Sequence, residues 1–179
     1  MRRSIALICL TFLVAVAAFV ASDFFQIGRK APDLAPAGER ATRIEVNKGA
    51  RQLNLLRGNE TLAVYNVSLG STPIGHKSRE GDRRTPEGAY SIEFKNERSR
   101  FYLALRISYP NADDRKAAQQ LGVSPGSDIM IHGLPNGLGW LSYLHLRRDW
   151  TDGCVAVTNS EMNEIWRLVA TGTPIEIRP

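Results

Sequence analysis

The chain has 179 residues, 43% of them apolar and 23% charged, with a formal net charge of +5. Such a composition suits one globular domain with a real core, excludes disorder and collagen-like structure, and leaves no length for two domains behind a leader. The basic residues are scattered singly or in pairs, without a basic run, zinc-finger spacing or an aromatic-basic patch, which speaks against a nucleic-acid partner.

Arg2 and Arg3 precede an apolar stretch from Ile5 to Ala21, broken only by Thr11. A basic start followed by an apolar run reads as a secretory signal, and one more apolar turn would make it a spanning helix. Residues 1–21 are therefore expected to be a signal peptide or an N-terminal membrane anchor. The rest would lie in the periplasm, secreted or held to the inner membrane by that segment alone. Cys9 sits inside the apolar run, so Cys154 is the only cysteine of the exported part. In an oxidising compartment a lone thiol either packs away inertly or does chemistry.

Residues 22–41, with Gly28, Pro32, Pro36 and Gly38 among small and charged residues, read as a linker. The domain is expected over 42–179. Ile44 and Val46 alternate with polar residues, and Leu53 and Leu55 do so again after the Asn47-Lys48-Gly49 turn. Arg57-Gly58-Asn59 turns into a run from Glu60 to Leu69, with Leu62 and Val64 on one face and Ala63, Tyr65 and Val67 on the other. Period-2 segments joined by Gly/Asn turns predict antiparallel hairpins. Further strands are predicted over 90–94, 103–109, 128–132 and 174–177. A polar helix is predicted over 113–121. A second begins at Thr158, whose capping box with Glu161 precedes Met162, Ile165, Trp166 and Val169 at helical spacing. The class is mainly β with a few helices.

Two segments carry chemistry. Ser127-Asp-Ile-Met-Ile-His-Gly133 is a short apolar strand that delivers His132 at its end. Asp149-Trp-Thr-Asp-Gly-Cys-Val-Ala-Val-Thr-Asn159 sets Cys154 after Gly153 and ahead of the capped helix. A thiol is a poor nucleophile until an imidazole takes its proton, and backbone N–H groups beside a glycine can stabilise the oxyanion that follows. A strand-end histidine with a Gly-Cys turn is the minimum for acyl transfer through a thioester. Three histidines and one exported cysteine offer no pair at the short spacings of a zinc site.

These segments resemble the signature stretches of the L,D-transpeptidase catalytic domain, the YkuD-like family, in which a His-Gly or His-Ser on a strand precedes Ser/Thr-His-Gly-Cys. His132-Gly133 and Thr151-Asp152-Gly153-Cys154 fall on that pattern in order. Val67-Ser-Leu-Gly70, Pro73-Ile-Gly75, Gly81-Asp-Arg-Arg-Thr-Pro-Glu-Gly-Ala-Tyr90 and Thr171-Gly-Thr-Pro-Ile-Glu-Ile177 resemble further family segments, so the likeness runs from Arg43 to Arg178. It implies a β-sandwich or barrel-like catalytic domain with no metal or organic cofactor. Cys154 would be the acylated nucleophile and His132 its general base. The Gly133 carbonyl would orient the imidazole, and the amides near Gly153 and Cys154 would form the oxyanion hole. The implied partner is the tetrapeptide stem of peptidoglycan, cut with release of D-alanine. An amine on another stem or on a wall-anchored protein, or water, would resolve the thioester.

The chain departs from the pattern at Asp152, where the family usually has histidine, and at Ala156, where it commonly has Arg or Asn. The gap between His132 and Thr151 is also slightly longer than usual. These departures resemble a branch that includes hydrolases releasing wall-bound protein as well as transpeptidases. Three readings stay open: a transpeptidase, a cysteine peptidase or amidase with water as acceptor, and a non-catalytic wall-binding module. Arg84 and Thr85, with Trp150 and Thr151, are candidate substrate-binding residues, and Arg83 lies beside them. His145 is expected to be a hydrogen-bonded structural histidine, with a place in the site as its alternative. His76 is expected to be solvated. A carboxylate beside the sulfur would raise the thiol pKa, so Asp149 and Asp152 are not read as activators. Trp140 and Trp166 read as rim or core.

Overall fold

The computed structural model describes residues 30–179 together with Val14, Ala15, Ala17, Ala18 and Ala21, which are helical. The leader expected over 1–21 otherwise lies outside the described residues, as does the first part of the linker. Among the described residues no helix is long and apolar enough to cross a membrane.

The first three strands form where the alternation predicts them. β1 (Arg43–Asn47) buries Ile44 and Val46, and β2 (Gln52–Arg57) buries Leu53 and Leu55 opposite them. β3 (Glu60–Asn66) pairs with β2 and keeps Val64 outside while Tyr65 packs inward. It ends before the predicted Leu69, because Val67–Gly70 leaves to meet another part of the sheet. β4 (Gly88–Ser99) is far longer than expected and pairs in succession with two partners. Its first residues run beside β8 (Pro174–Arg178), and its later ones beside β5 (Tyr102–Ile107). Register shifts at Ile92/Phe94 and Asn96/Ser99 bend it between the two, as bulges do.

β6 (Met130–His132) lies antiparallel to β5, and β7 (Val155–Ala156) parallel to β6. β6 begins two residues later than predicted, since Asp128 takes a left-handed φ of 58° that no strand continues. The full order is β3-β2-β1-β8-β4-β5-β6-β7. An isolated bridge between Ser68 and Ala156 brings the chain leaving β3 onto β7, so the two ends of that order meet. The sheet is barrel-like, and its seam lies at the segment that carries Cys154.

Two α-helices pack outside. α1 (Ala112–Gln120) opens with a capping box between Asn111 and Asp114. α2 (Asn159–Leu168) has the expected Thr158–Glu161 capping box and buries Met162, Ile165, Trp166 and Leu168. Each such side chain contributes about 1.5–3 kcal/mol on leaving water, so this one face fixes α2 on the sheet. Its last carbonyls have no partner within the helix. Lys95 Nζ donates to Trp166 O at 2.6 Å and to Val169 O at 2.8 Å. Ala35 N donates to Arg167 O at 2.9 Å and Ala41 N to Leu168 O at 3.0 Å. That corrects the reading of 22–41 as linker throughout. Ala35 and Ala41 are buried, because they reach the carbonyls the helix end leaves open.

Candidate active site

His132 ends β6 between Ala104 of β5 and Ala156 of β7, which fixes its backbone on both sides. Its ring is buried against Phe101, with centroids 4.6 Å apart, and meets Trp150 edge-on at 5.8 Å. Nδ1 lies 2.6 Å from the Gly133 carbonyl oxygen. A carbonyl only accepts, so Nδ1 carries the proton and Nε2 keeps its lone pair. Burial pushes the imidazole pKa down to about 4; the Gly133 bond resists this, and nearby His145 adds to it. Gly133 has no room for a side chain. A Cβ there would sit 2.7 Å from Asn159 Oδ1 and 2.8 Å from Tyr102 Cβ.

Cys154 follows Gly153, whose φ of 129° few residues with a side chain adopt. A Cβ on Gly153 would also stand 2.6 Å from the Arg84 carbonyl oxygen. Thr151 ties the turn: its Oγ1 accepts from Gly153 N at 3.1 Å and donates to Cys154 O at 2.8 Å. The Gly153 amide is thus consumed, which corrects its assignment to an oxyanion hole. Among the described residues the Cys154 N–H takes no partner, and it is the amide open to a developing oxyanion.

The half-buried Cys154 thiol points at the Asp128 carbonyl oxygen, 3.6 Å from Sγ. Burial pushes its pKa up to about 11; a Met130 backbone bond opposes this, Asp152 and Asp128 add to it, and Lys77 opposes it. Thiol and imidazole are therefore both neutral near pH 7. They share a cleft of about 460 Å³ with Trp150, Thr151 and Asp152, which is also lined by Arg98, Arg100 and Phe101. A neutral thiol, an imidazole with a free Nε2 and an open amide can together attack a carbonyl carbon.

The sequence signature of the YkuD family, the L,D-transpeptidase catalytic domain, matches residues 41–177. The chain belongs to this family. A protein of Escherichia coli (strain K12) that carries the name L,D-transpeptidase YafK is 31% identical over 132 residues, covering 70% of this chain and 46% of YafK. Among solved structures, the helical cell shape determining protein Pgp2 of Campylobacter jejuni is similar with a TM-score of 0.56. That match has 22% identity and covers 89% of this chain and 55% of Pgp2. An L,D-transpeptidase from Mycobacterium smegmatis follows at 0.50 and 14% identity, covering 76% and 58%. These two likenesses speak for the fold. The chain spans about half the length of the relatives it matches.

In this L,D-transpeptidase domain the cleft gathers Cys154, His132, Trp150 and Thr151, with Gly133 and Gly153 as their neighbours. It does not gather Arg84 and Thr85, which corrects their place among the substrate contacts. Thr85 is wholly buried and its Oγ1 accepts from Gly70 N at 3.0 Å. The Arg84 carbonyl underlies Gly153, and its guanidinium turns away to the His76 carbonyl at 3.5 Å. The Thr-Pro turn is folded beneath the Gly-Cys turn and supports it. Arg83 does reach the cleft lip, with Nε 3.9 Å from exposed Asp152.

His145 lies in a 3-10 segment, Gly139–Arg147, that the sequence did not reveal. It is buried, with Nδ1 3.1 Å from Ser68 Oγ, while that hydroxyl donates to the His145 carbonyl at 3.0 Å. Only an Nδ1–H completes both bonds, as the structural reading requires. His76 is not simply solvated. Its Nδ1 accepts from Glu87 N at 3.0 Å and Nε2 meets Asp114 at 3.1 Å. Asp149 holds Leu69 N at 2.9 Å and Arg51 at 3.0 Å, and so fixes the seam.

Several contributors were missed. Phe101 gave no signal beyond its aromaticity, and Lys77 sat in a polar loop. Lys77 is buried, bonds Asp82 at 2.8 Å, and holds the loop that runs under the thiol. Burial pushes Asp82 up, but Lys77 and the backbone amides of Ser78, Arg84 and Arg79 bring its pKa down to about 2. Among the described residues no three His, Cys, Asp or Glu side chains are grouped to hold a metal ion.

Proposed function

We propose that this domain is a periplasmic cysteine acyltransferase acting on the tetrapeptide stems of peptidoglycan, through a thioester at Cys154. The observation that carries this is the shared cleft of Cys154 and His132, with Nδ1 bound to a carbonyl and Nε2 left free to act as a base. As Sγ bonds to the carbonyl carbon of the residue before the terminal D-amino acid, His132 Nε2 takes the thiol proton. The oxyanion rests on the Cys154 N–H. Collapse breaks the peptide C–N bond, and Nε2–H gives its proton to the departing D-amino acid. An acceptor amine then attacks the thioester, Nε2 takes its proton, and the sulfur leaves and is reprotonated.

The test is incubation of the purified protein with muropeptides, followed by mass analysis, with Cys154→Ala as control. Cross-linked stems with equimolar D-alanine support the proposal. Free tripeptide stems without cross-links assign water as the acceptor. Unchanged muropeptides refute both.

A further inference from the structure

The catalytic cleft holds more positive charge than the chemistry at Cys154 uses. Four charged side chains line it: Arg98, Arg100, Asp128 and Asp152. Each aspartate already faces a cation from outside the cleft. Arg106 stands 3.6 Å from Asp128, and Arg83 stands 3.9 Å from Asp152. Arg98 and Arg100 are exposed, and among the described residues neither guanidinium has an ion pair or hydrogen bond. Arg106 also meets Glu93 at 3.7 Å, so these groups together keep a net positive charge, and among the described residues the guanidinium groups that line the cleft without a partner are those of Arg98 and Arg100. β7 brings no cation of its own, since Ala156, two residues past the nucleophile, is fully buried.

These arginines are not on a loose surface loop. Arg98 lies within the register shift between Asn96 and Ser99, where β4 bulges and turns into β5. The turn is clamped by Asn136. Its Nδ2 donates to Ser99 O at 3.1 Å, its Oδ1 accepts from Tyr102 N at 3.1 Å, and its backbone N donates to Arg100 O at 2.9 Å. Next in the chain, Phe101 packs on the His132 ring. One rigid turn thus supports the base and presents two free forks to the same cavity. A planar guanidinium matches a carboxylate better than any other side chain does.

We propose that Arg98 and Arg100 form a carboxylate-binding end of the cleft, which holds the free C-terminal carboxylate of the peptide substrate while the preceding peptide bond meets Cys154. This rests on the acyl-transfer reading above. It assigns two residues to the free acid in which that reading's substrate ends, so that a blocked or extended peptide is rejected.

Two experiments on the full chain separate the two ideas. In the first, a stem tetrapeptide and its C-terminal amide are compared as substrates, with the wild type and with R98Q/R100Q. The wild type is expected to favour the acid by about tenfold or more in kcat/KM, the scale of a charge-assisted bond at a partly exposed site. The double variant should lose most of that preference. In the second, Cys154 is alkylated with iodoacetate, which carries a carboxylate, and with neutral iodoacetamide. The double variant should lower the iodoacetate-to-iodoacetamide rate ratio several-fold, the neutral reagent serving as the internal reference for any change in thiolate fraction, with circular dichroism reporting the fold. Turnover without preference for the acid overturns the arginine site and spares the acyltransferase. A ratio that does not respond to R98Q/R100Q also overturns it. A ratio that responds, in a protein that turns over neither peptide, supports the carboxylate site and refutes the acyltransferase.

Discussion

The resting state of the Cys154 thiol can be measured directly, and the structure fixes what it should be. Cys154 is pushed up to about 11 and His132 down to about 4. With neither charge helping the other, moving the proton from sulfur to nitrogen crosses a gap of about seven pH units, roughly 10 kcal/mol. Attraction between a thiolate and an imidazolium in contact returns about 4 kcal/mol at an effective dielectric of 20. Burial wins, and the neutral pair dominates. Alkylation by iodoacetamide, followed by intact-protein mass, should then rise about tenfold per pH unit from pH 7 to 10. At pH 7 it should run about a hundredfold slower than a free cysteine peptide, since the thiol lies two units above its ordinary 9.0. A rate that is flat from about pH 5 to 8 would reveal a preformed thiolate–imidazolium pair and refute the argument.

Cys154→Ala should abolish turnover and leave the melting temperature within a few degrees, because it removes one half-buried sulfur. His132→Ala should lower turnover by about 10²–10⁴-fold, and by far more than His145→Ala or His76→Ala; a larger loss in His145→Ala, in a folded protein, would move the base to that ring. Gly153→Ala should destabilise the fold by about 1–3 kcal/mol in urea denaturation, because its Cβ meets the Arg84 carbonyl at 2.6 Å. The folded pKa of His132 is depressed, so its stability contribution is complete above about 6.5. It is lost as pH falls towards 4, by up to about 1.4 kcal/mol per pH unit, and His132→Asn should flatten that slope. A carbapenem should add its mass at Cys154 and not in Cys154→Ala, since attack on a strained amide needs only the thiol, the base and the open amide.

The strands that open the domain were legible because Ile44, Val46, Leu53 and Leu55 state their inward face by alternation alone. The caps of α2 were legible because Thr158 and Glu161 act within one helical turn. What was lost depends on distant partners. β7 is two residues long and exists through its pairing with β6 and Ser68, which no local pattern announces. Arg84 and Thr85 were placed with substrate because a cation beside a Thr-Pro turn resembles a ligand site. Whether that turn faces the cleft or lies beneath it depends on Gly70 and Gly153, whose closeness lets the two turns stack. The Cys-His pair was readable as chemistry, but its neutrality was not, because burial of the ring and the sulfur is a property of the assembled seam.

Asp152 gives that neutrality a consequence. In place of a second imidazole it offers an exposed carboxylate that raises the thiol pKa and has Arg83 beside it. In the proposed reaction one ring then handles the proton in every step. An imidazole near pKa 4 is a weak base towards a thiol near 11, so proton removal must accompany S–C bond formation rather than precede it. Once protonated, the same ring is a strong acid, well matched to driving out an amine. The burial that slows attack therefore speeds departure of the leaving group. Anything that wets the ring, such as loss of the Phe101 or Trp150 contact, should shift the balance the other way. Phe101→Ala should raise the His132 pKa towards its ordinary 6.5, and the pH at which turnover reaches half its maximum should rise with it. An acidic limb that stays in place in that variant would show that His132 is not the group it reports.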